Sequence, residues 1–155
     1  MSLERFHEAQ LRSRTGYETA LAEIRAGGKR SHWIWYIFPQ IEGLGRSSMA
    51  RAYALRDLGE ACAYLRDPIL RGRYEEIAGA VSEQLSRGIS IEDLMGSQID
   101  ALKLASSLTF SAPPPNNWRE KMLLSRRWRN GCPLCSNKPP SKAIRCAISL
   151  LPGSG

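Results

Sequence analysis

At 155 residues the chain has the length of one domain and can bury well over half of its unfolded surface. It contains no run of about 18 apolar residues, and its start, MSLERFHEAQ, lacks the basic-then-apolar pattern of a secretory signal, so a cytoplasmic location is expected rather than membrane insertion or export. The net charge of +7 resembles a nucleic-acid signal until it is divided along the chain: residues 1–110 hold 14 of the 22 Lys and Arg and 14 of the 15 Asp and Glu, so the whole excess lies further on.

Leu3, Phe6 and Leu11, with His7 and Gln10 on the same stripe, recur at helical spacing. Thr15-Gly16-Tyr17-Glu18 has the form of a capping box and predicts a second helix, buried through Tyr17, Ala20, Leu21 and Ile24 and stopped by Gly27-Gly28. Trp33 to Phe38 is apolar at all six positions, so periodicity alone does not separate strand from helix there. Ser31 as a cap, Pro39 as a terminator and the lack of a strand partner favour a helical turn.

After the Gly43-Leu44-Gly45 turn, Ser47 or Ser48 caps a helix carrying Met49, Ala52 and Tyr53. Asp57 opens a segment with Ala61, Cys62 and Leu65 on one side. Asp67-Pro68 begins the most regular helix, whose stripe is Leu70, Tyr74, Ile77, Val81 and Leu85 and whose stop is Gly88. A short turn from Ser90 to Met95 precedes a last helix from about Ser97 to Phe110, with Ile99, Leu102, Ala105, Ser106 and Thr109 on one face. These elements predict an all-α fold, a single multi-helical, orthogonal bundle-like domain over residues 1–110.

Residues 111–155 read differently. They hold seven of the nine prolines and three of the four cysteines, and form a basic, irregular tail in which only Trp118 to Trp128 has helical potential. Cys132, Cys135 and Cys146 do not complete a structural zinc site, which needs four ligands, and the tail has no histidine; neither a metal nor another cofactor is expected. Nucleic acid is expected to bind only non-specifically and only through this tail.

The blocks KRSHWIWYIFPQIEGLGRSSMARAYAL, AYLRDPILRGRYEE and DALKLASSLTF, in this order and spacing, resemble the domain of unknown function 1810 family, DUF1810, found in bacteria and fungi, over about residues 2–110. The resemblance implies a small, soluble, all-helical domain and no established activity. Relatives sometimes carry the label calpastatin, which does not fit: a calpain inhibitor is a disordered repeat protein, and this chain has the apolar patterning of a folded one. In the family an acidic, apolar, amphipathic helix follows the last of these blocks, whereas here the basic tail begins. A change of composition at one residue is what a reading-frame shift in a GC-rich gene produces. Residues 111–155 are accordingly read as out of frame relative to the family, which translation of the other frames decides.

The chemistry concentrates at Lys29-Arg30-Ser31-His32, between a glycine helix stop and an aromatic run. Cations and a hydroxyl beside free amides at a helix start suit a phosphate or carboxylate; the plainer alternative is a solvated basic turn. His32 is the candidate general acid or base, because imidazole ordinarily exchanges a proton near neutral pH. No Ser, Cys or carboxylate at a diagnostic spacing makes it part of a triad. Trp35 offers a face for a planar ligand, although core packing accounts for most of the aromatic run. Gln40, with Arg46 and the glycines, is a rim candidate. Lys103, Ser106 and Ser107 can share a helix face.

The sequence thus leads to one pocket, lined by Lys29, Ser31, His32, Trp35, Gln40, Lys103 and Ser106, for a small anionic or nucleotide-like metabolite, with His32 as the candidate catalytic residue. The alternative is a non-catalytic interaction or structural domain. Oligomeric state is not legible.

Overall fold

A computed structural model describes residues 2–111, with side chains through Leu108. The readings that fall on the tail, the Trp118 to Trp128 helix and Cys132, Cys135 and Cys146, lie outside the described residues. Eight helices follow one another, with no strand among the described residues: α1 (Glu4–Gln10), α2 (Tyr17–Arg25), α3 (Ile34–Ile37), α4 (Ser48–Ala52), α5 (Leu58–Arg66), α6 (Pro68–Ser86), α7 (Ile91–Met95) and α8 (Gln98–Ser111). The fold is all-α, as expected. An isolated parallel bridge between Ile41 and Leu55 closes the segment that holds the glycine turn and α4.

The boundaries follow from local chemistry. Ser47, Asp57, Asp67 and Ser90 each accept a backbone amide two or three residues ahead, satisfying donors that the first helical turn leaves free. Pro68 stands at the start of α6, where its missing amide costs nothing. Gly27 (φ 88°) and Gly88 (φ 95°) end α2 and α6 in the left-handed region. At both stops the glycine amide and the next amide reach back to carbonyls of the last turn: Gly27 to Ile24 and Gly28 to Glu23, Gly88 to Leu85 and Ile89 to Gln84. That crossed pair is the Schellman arrangement.

The nineteen-residue α6 is the spine; α2 and α5 pack on it, α1 and α8 pack on α3, and α7 packs on α8. Leu70, Tyr74, Ile77, Val81 and Leu85 are all buried, as its periodicity requires. Around them the aromatic rings meet edge to face: Phe6 with Tyr64 at 5.1 Å, Tyr36 with Tyr53 at 5.0 Å and Phe38 with Tyr74 at 5.4 Å. Such pairs add ~1 kcal/mol each beyond the area they bury. Trp33, Tyr36 and Phe38 are wholly buried, so most of the aromatic run is scaffold.

Six local expectations are corrected. Thr15 does not cap α2, whose N-cap is Gly16 with no side-chain bond. Ser31 does not cap α3 either: the cap residue is Trp33, and the Ser31 hydroxyl donates to Glu23 instead. Leu11, one residue past α1, is 71% exposed, and Ala9 takes its place in the core. Ala52 is exposed, and on α5 Ala61 is buried as expected while Tyr64, rather than Cys62 or Leu65, is the next core residue.

The sixth concerns α8, whose apolar residues form two competing stripes. Ala101, Leu104, Ala105 and Leu108 are buried, while Ile99 and Leu102 are 68% and 49% exposed. The buried set keeps the i, i+3, i+4, i+7 spacing of a helix face in full, which is why it turns inward.

Candidate functional site

Three segments distant in sequence supply the site. Lys29 follows the Gly27-Gly28 stop, and its amide donates to the carbonyl of Leu94 at the end of α7 (2.8 Å). Gly96, at φ 72°, reverses the chain directly behind that contact and starts α8 beside Lys29. Asp100, in the first turn of α8, therefore meets the lysine. Its Oδ2 accepts from Lys29 Nζ at 2.7 Å and its Oδ1 accepts from Lys103 Nζ at 2.7 Å. The three side chains are 15%, 8% and 18% exposed for Asp100, Lys29 and Lys103, so the triad is largely withdrawn from water. Burial raises the Asp100 pKa, but the bonds from Lys103 and Lys29 outweigh it and hold the carboxyl below the usual carboxylate range.

The ammoniums also rest on aromatic faces. Lys103 Nζ stands 5.0 Å from the centre of the Trp35 ring and Lys29 Nζ 5.5 Å from that of Trp33. Contacts of this kind contribute ~0.5–1 kcal/mol each and fix where a flexible lysine points. The exposed His32 lies against the same Trp35, rings 6.5 Å apart and 27° from parallel. Trp35 Nε1 is buried and has no acceptor among the described residues. An unsatisfied buried indole N–H costs roughly 1–3 kcal/mol.

Lys29, Lys103, Trp35 and His32 are thus brought together as the sequence suggested. Ser31, Gln40 and Ser106 are not joined to them by any hydrogen bond or ring contact among the described residues. The carbonyl of Gln40 accepts from Leu55 at the loop bridge, and its Oε1 lies beside Gly45, 3.8 Å from where a β-carbon would stand. Ser106 is half-buried one turn beyond Lys103. Ser107 points elsewhere, into a buried hydrogen bond with Tyr74 (3.1 Å), so the proposed Lys103, Ser106 and Ser107 face is divided.

The expected anion nest at Arg30-Ser31 is occupied by the protein itself. Glu23, in the last turn of α2, accepts the amides of Arg30 (2.8 Å) and Ser31 (3.0 Å), the Ser31 hydroxyl, and Trp33 Nε1 (2.8 Å). Burial raises the Glu23 pKa; the bonds from Ser31, Arg30 and Trp33 more than reverse that and bring it to about 2. One sequence signal pointed to this residue. A carboxylate in the last turn of a helix sits against the negative end of the dipole, which is unfavourable unless it has partners of its own. Asp100 carried a weaker one, since Ser97-x-x-Asp100 reads as an ordinary capping box.

An open groove of about 450 Å³ runs along α2, lined by Glu18, Thr19, Ala22, Glu23, Ala26 and Arg30. None of the seven candidate residues lines it. No helix among the described residues is long and apolar enough to cross a membrane.

No curated protein shows significant similarity to the chain. Among solved structures it is similar to the conserved hypothetical protein Rv1873 from Mycobacterium tuberculosis, with 42% identity and a TM-score of 0.62 over 70% of this chain and 73% of that one. The model of a family described as "Protein of unknown function (DUF1810)" matches residues 1–129, which takes in the whole described domain and runs 18 residues past Ser111. The chain that builds this lysine-carboxylate-tryptophan cluster therefore belongs to the DUF1810 family.

Proposed function

We propose that the domain binds a small, aromatic, nucleotide-like anion at the Lys29–Lys103 pair, with Trp35 as the stacking face and His32 as the acid-base group. The observation that carries this reading is the convergence of two ammoniums, 74 positions apart in sequence, on one carboxylate against the ring of Trp35. A lysine has three donors and each spends one on Asp100, so both keep donors for a ligand's oxygens. The buried Trp35 indole N–H, which has no acceptor among the described residues, offers one more. Because His32 is exposed and lies on the same tryptophan, its imidazole can reach an atom of a ligand bound there.

The rival, a non-catalytic interaction domain, draws support from Glu23: the main-chain anion nest is already filled from within. A thermal-shift screen of aromatic carboxylates, nucleotides and phosphorylated metabolites separates the two. A ligand present at one hundred times its Kd stabilises by ~2.7 kcal/mol. The expected result is a dose-dependent rise in Tm that Lys29→Ala and Lys103→Ala abolish and His32→Ala keeps. No shift with any class of ligand would favour the interaction domain.

A further inference from the structure

We propose that Asp100 narrows this ligand class by charge, admitting singly charged anions, among nucleotide-like ones the phosphodiesters, and excluding doubly charged ones such as nucleoside monophosphates. This rests on the lysine pair being the binding site. The domain contains the same Ser-x-x-Asp box twice. At the start of α7 the box closes on itself: the Ser90 hydroxyl bonds both the amide and the carboxylate of Asp93. At the start of α8 the hydroxyl of Ser97 accepts the amide of Asp100 (3.1 Å), but the carboxylate turns away to bridge Lys29 and Lys103. Asp100 therefore has a function beyond capping, and its effect on the site is electrostatic.

Two ammoniums and one carboxylate leave a single positive charge. A carboxylate or phosphodiester that joins the cluster neutralises it. A phosphate monoester brings a second negative charge into the same withdrawn space, within a few ångströms of Asp100, where repulsion is poorly screened. The third negative charge has no partner, because each lysine already shares Asp100. Trp35 completes the description: the ligand carries a flat ring beside its anionic group.

Three probes with one ring test this at pH 8 by calorimetric titration of the full chain: benzoate and methyl phenyl phosphate, both singly charged, and phenyl phosphate, which is doubly charged. The wild type should bind the first two at least ten-fold more tightly than the third. Asp100→Asn, which keeps the shape and removes the charge, should raise affinity for phenyl phosphate ten-fold or more and reverse the order. Asp100→Glu should keep the wild-type order. Equal affinity of the wild type for the methyl ester and phenyl phosphate overturns the proposal without any variant, while leaving the lysine site standing. An unchanged order in Asp100→Asn does the same. If neither the wild type nor Asp100→Asn binds any probe, the lysine site and the role of Asp100 both fall.

Discussion

Replacing Arg5 by alanine is expected to destabilise the domain by ~3 kcal/mol, because it takes the close cation from a fully buried carboxylate and leaves only the more distant, largely exposed Arg56 guanidinium, Nε 4.0 Å away. Glu60, on α5, has no exposure to solvent. Its Oε1 accepts from Arg5 Nη1 at 2.8 Å, and its Oε2 from the amide of Arg56 at 2.8 Å. The same guanidinium donates to the carbonyl of Ala54 (2.9 Å) and stands 4.4 Å from the centre of the Phe6 ring. One ion pair thereby ties α1 to α5 and to the loop before it. Burial raises the Glu60 pKa, and Arg5 with the Arg56 amide more than offsets it, so the carboxyl titrates below its ordinary value.

Much of the cost of a single substitution is the poorly compensated charge left behind, so removing both partners removes that part of the penalty. Urea denaturation of Arg5→Met, Glu60→Leu and the double variant should show the double costing clearly less than the sum of the singles. Strict additivity would contradict the pairing.

The second large effect falls on Glu23. Glu23→Ala removes the acceptor for the amides of Arg30 and Ser31 and for the indole of a wholly buried tryptophan. A hydrogen bond to a charged group contributes ~1.5–3 kcal/mol, and an orphaned buried donor costs ~1–3 kcal/mol. Because the two amides can recover water, ~3 kcal/mol is expected in total, or a fall in Tm on the order of 10 °C. The pH dependence has a definite sign. The folded-state pKa, about 2, lies below the ordinary 4.5. The stabilisation is therefore complete above the unfolded value and is lost as pH falls through that window. The stability difference between wild type and Glu23→Gln should accordingly be constant near neutrality and narrow between about 4.5 and about 2. A difference that persists undiminished at the acid end would mean that the charge of Glu23 is not what holds Arg30, Ser31 and Trp33.

What could be read without coordinates divides along the range of the interactions. Caps at Ser47, Asp57 and Asp67 and stops at Gly27 and Gly88 are settled within a few residues, and they stand where the sequence suggested; Ser90 to Met95, read as a turn, is instead the short helix α7 capped by Ser90. The α6 stripe was legible because one phase fits all five positions. In α8 two phases compete, and the choice depends on what α3 and α7 present to it. Thr15 failed as a cap because Gly16 adopts the extended conformation that begins α2.

The site divides in the same way. Lys29, His32 and Trp35 cluster in sequence, and Lys103 stood out as a cation in an apolar helix. The carboxylates that govern them, Glu23 and Asp100, are ordinary helix residues until the chain folds. Only then does Ser31 become a donor to Glu23, and only then do the two lysines share Asp100.

Binding at the lysine pair over Trp35 is read by the indole N–H resonance of Trp35 in the ¹⁵N-labelled protein, titrated with benzoate at pH 8. That proton is buried without an acceptor among the described residues, whereas that of Trp33 is held by Glu23. The Trp35 resonance should shift saturably, not at all in Lys29→Ala and Lys103→Ala, with the Trp33 resonance moving far less. A Trp35 resonance that stays in place at saturating probe, or that moves equally in the lysine variants, would contradict binding there.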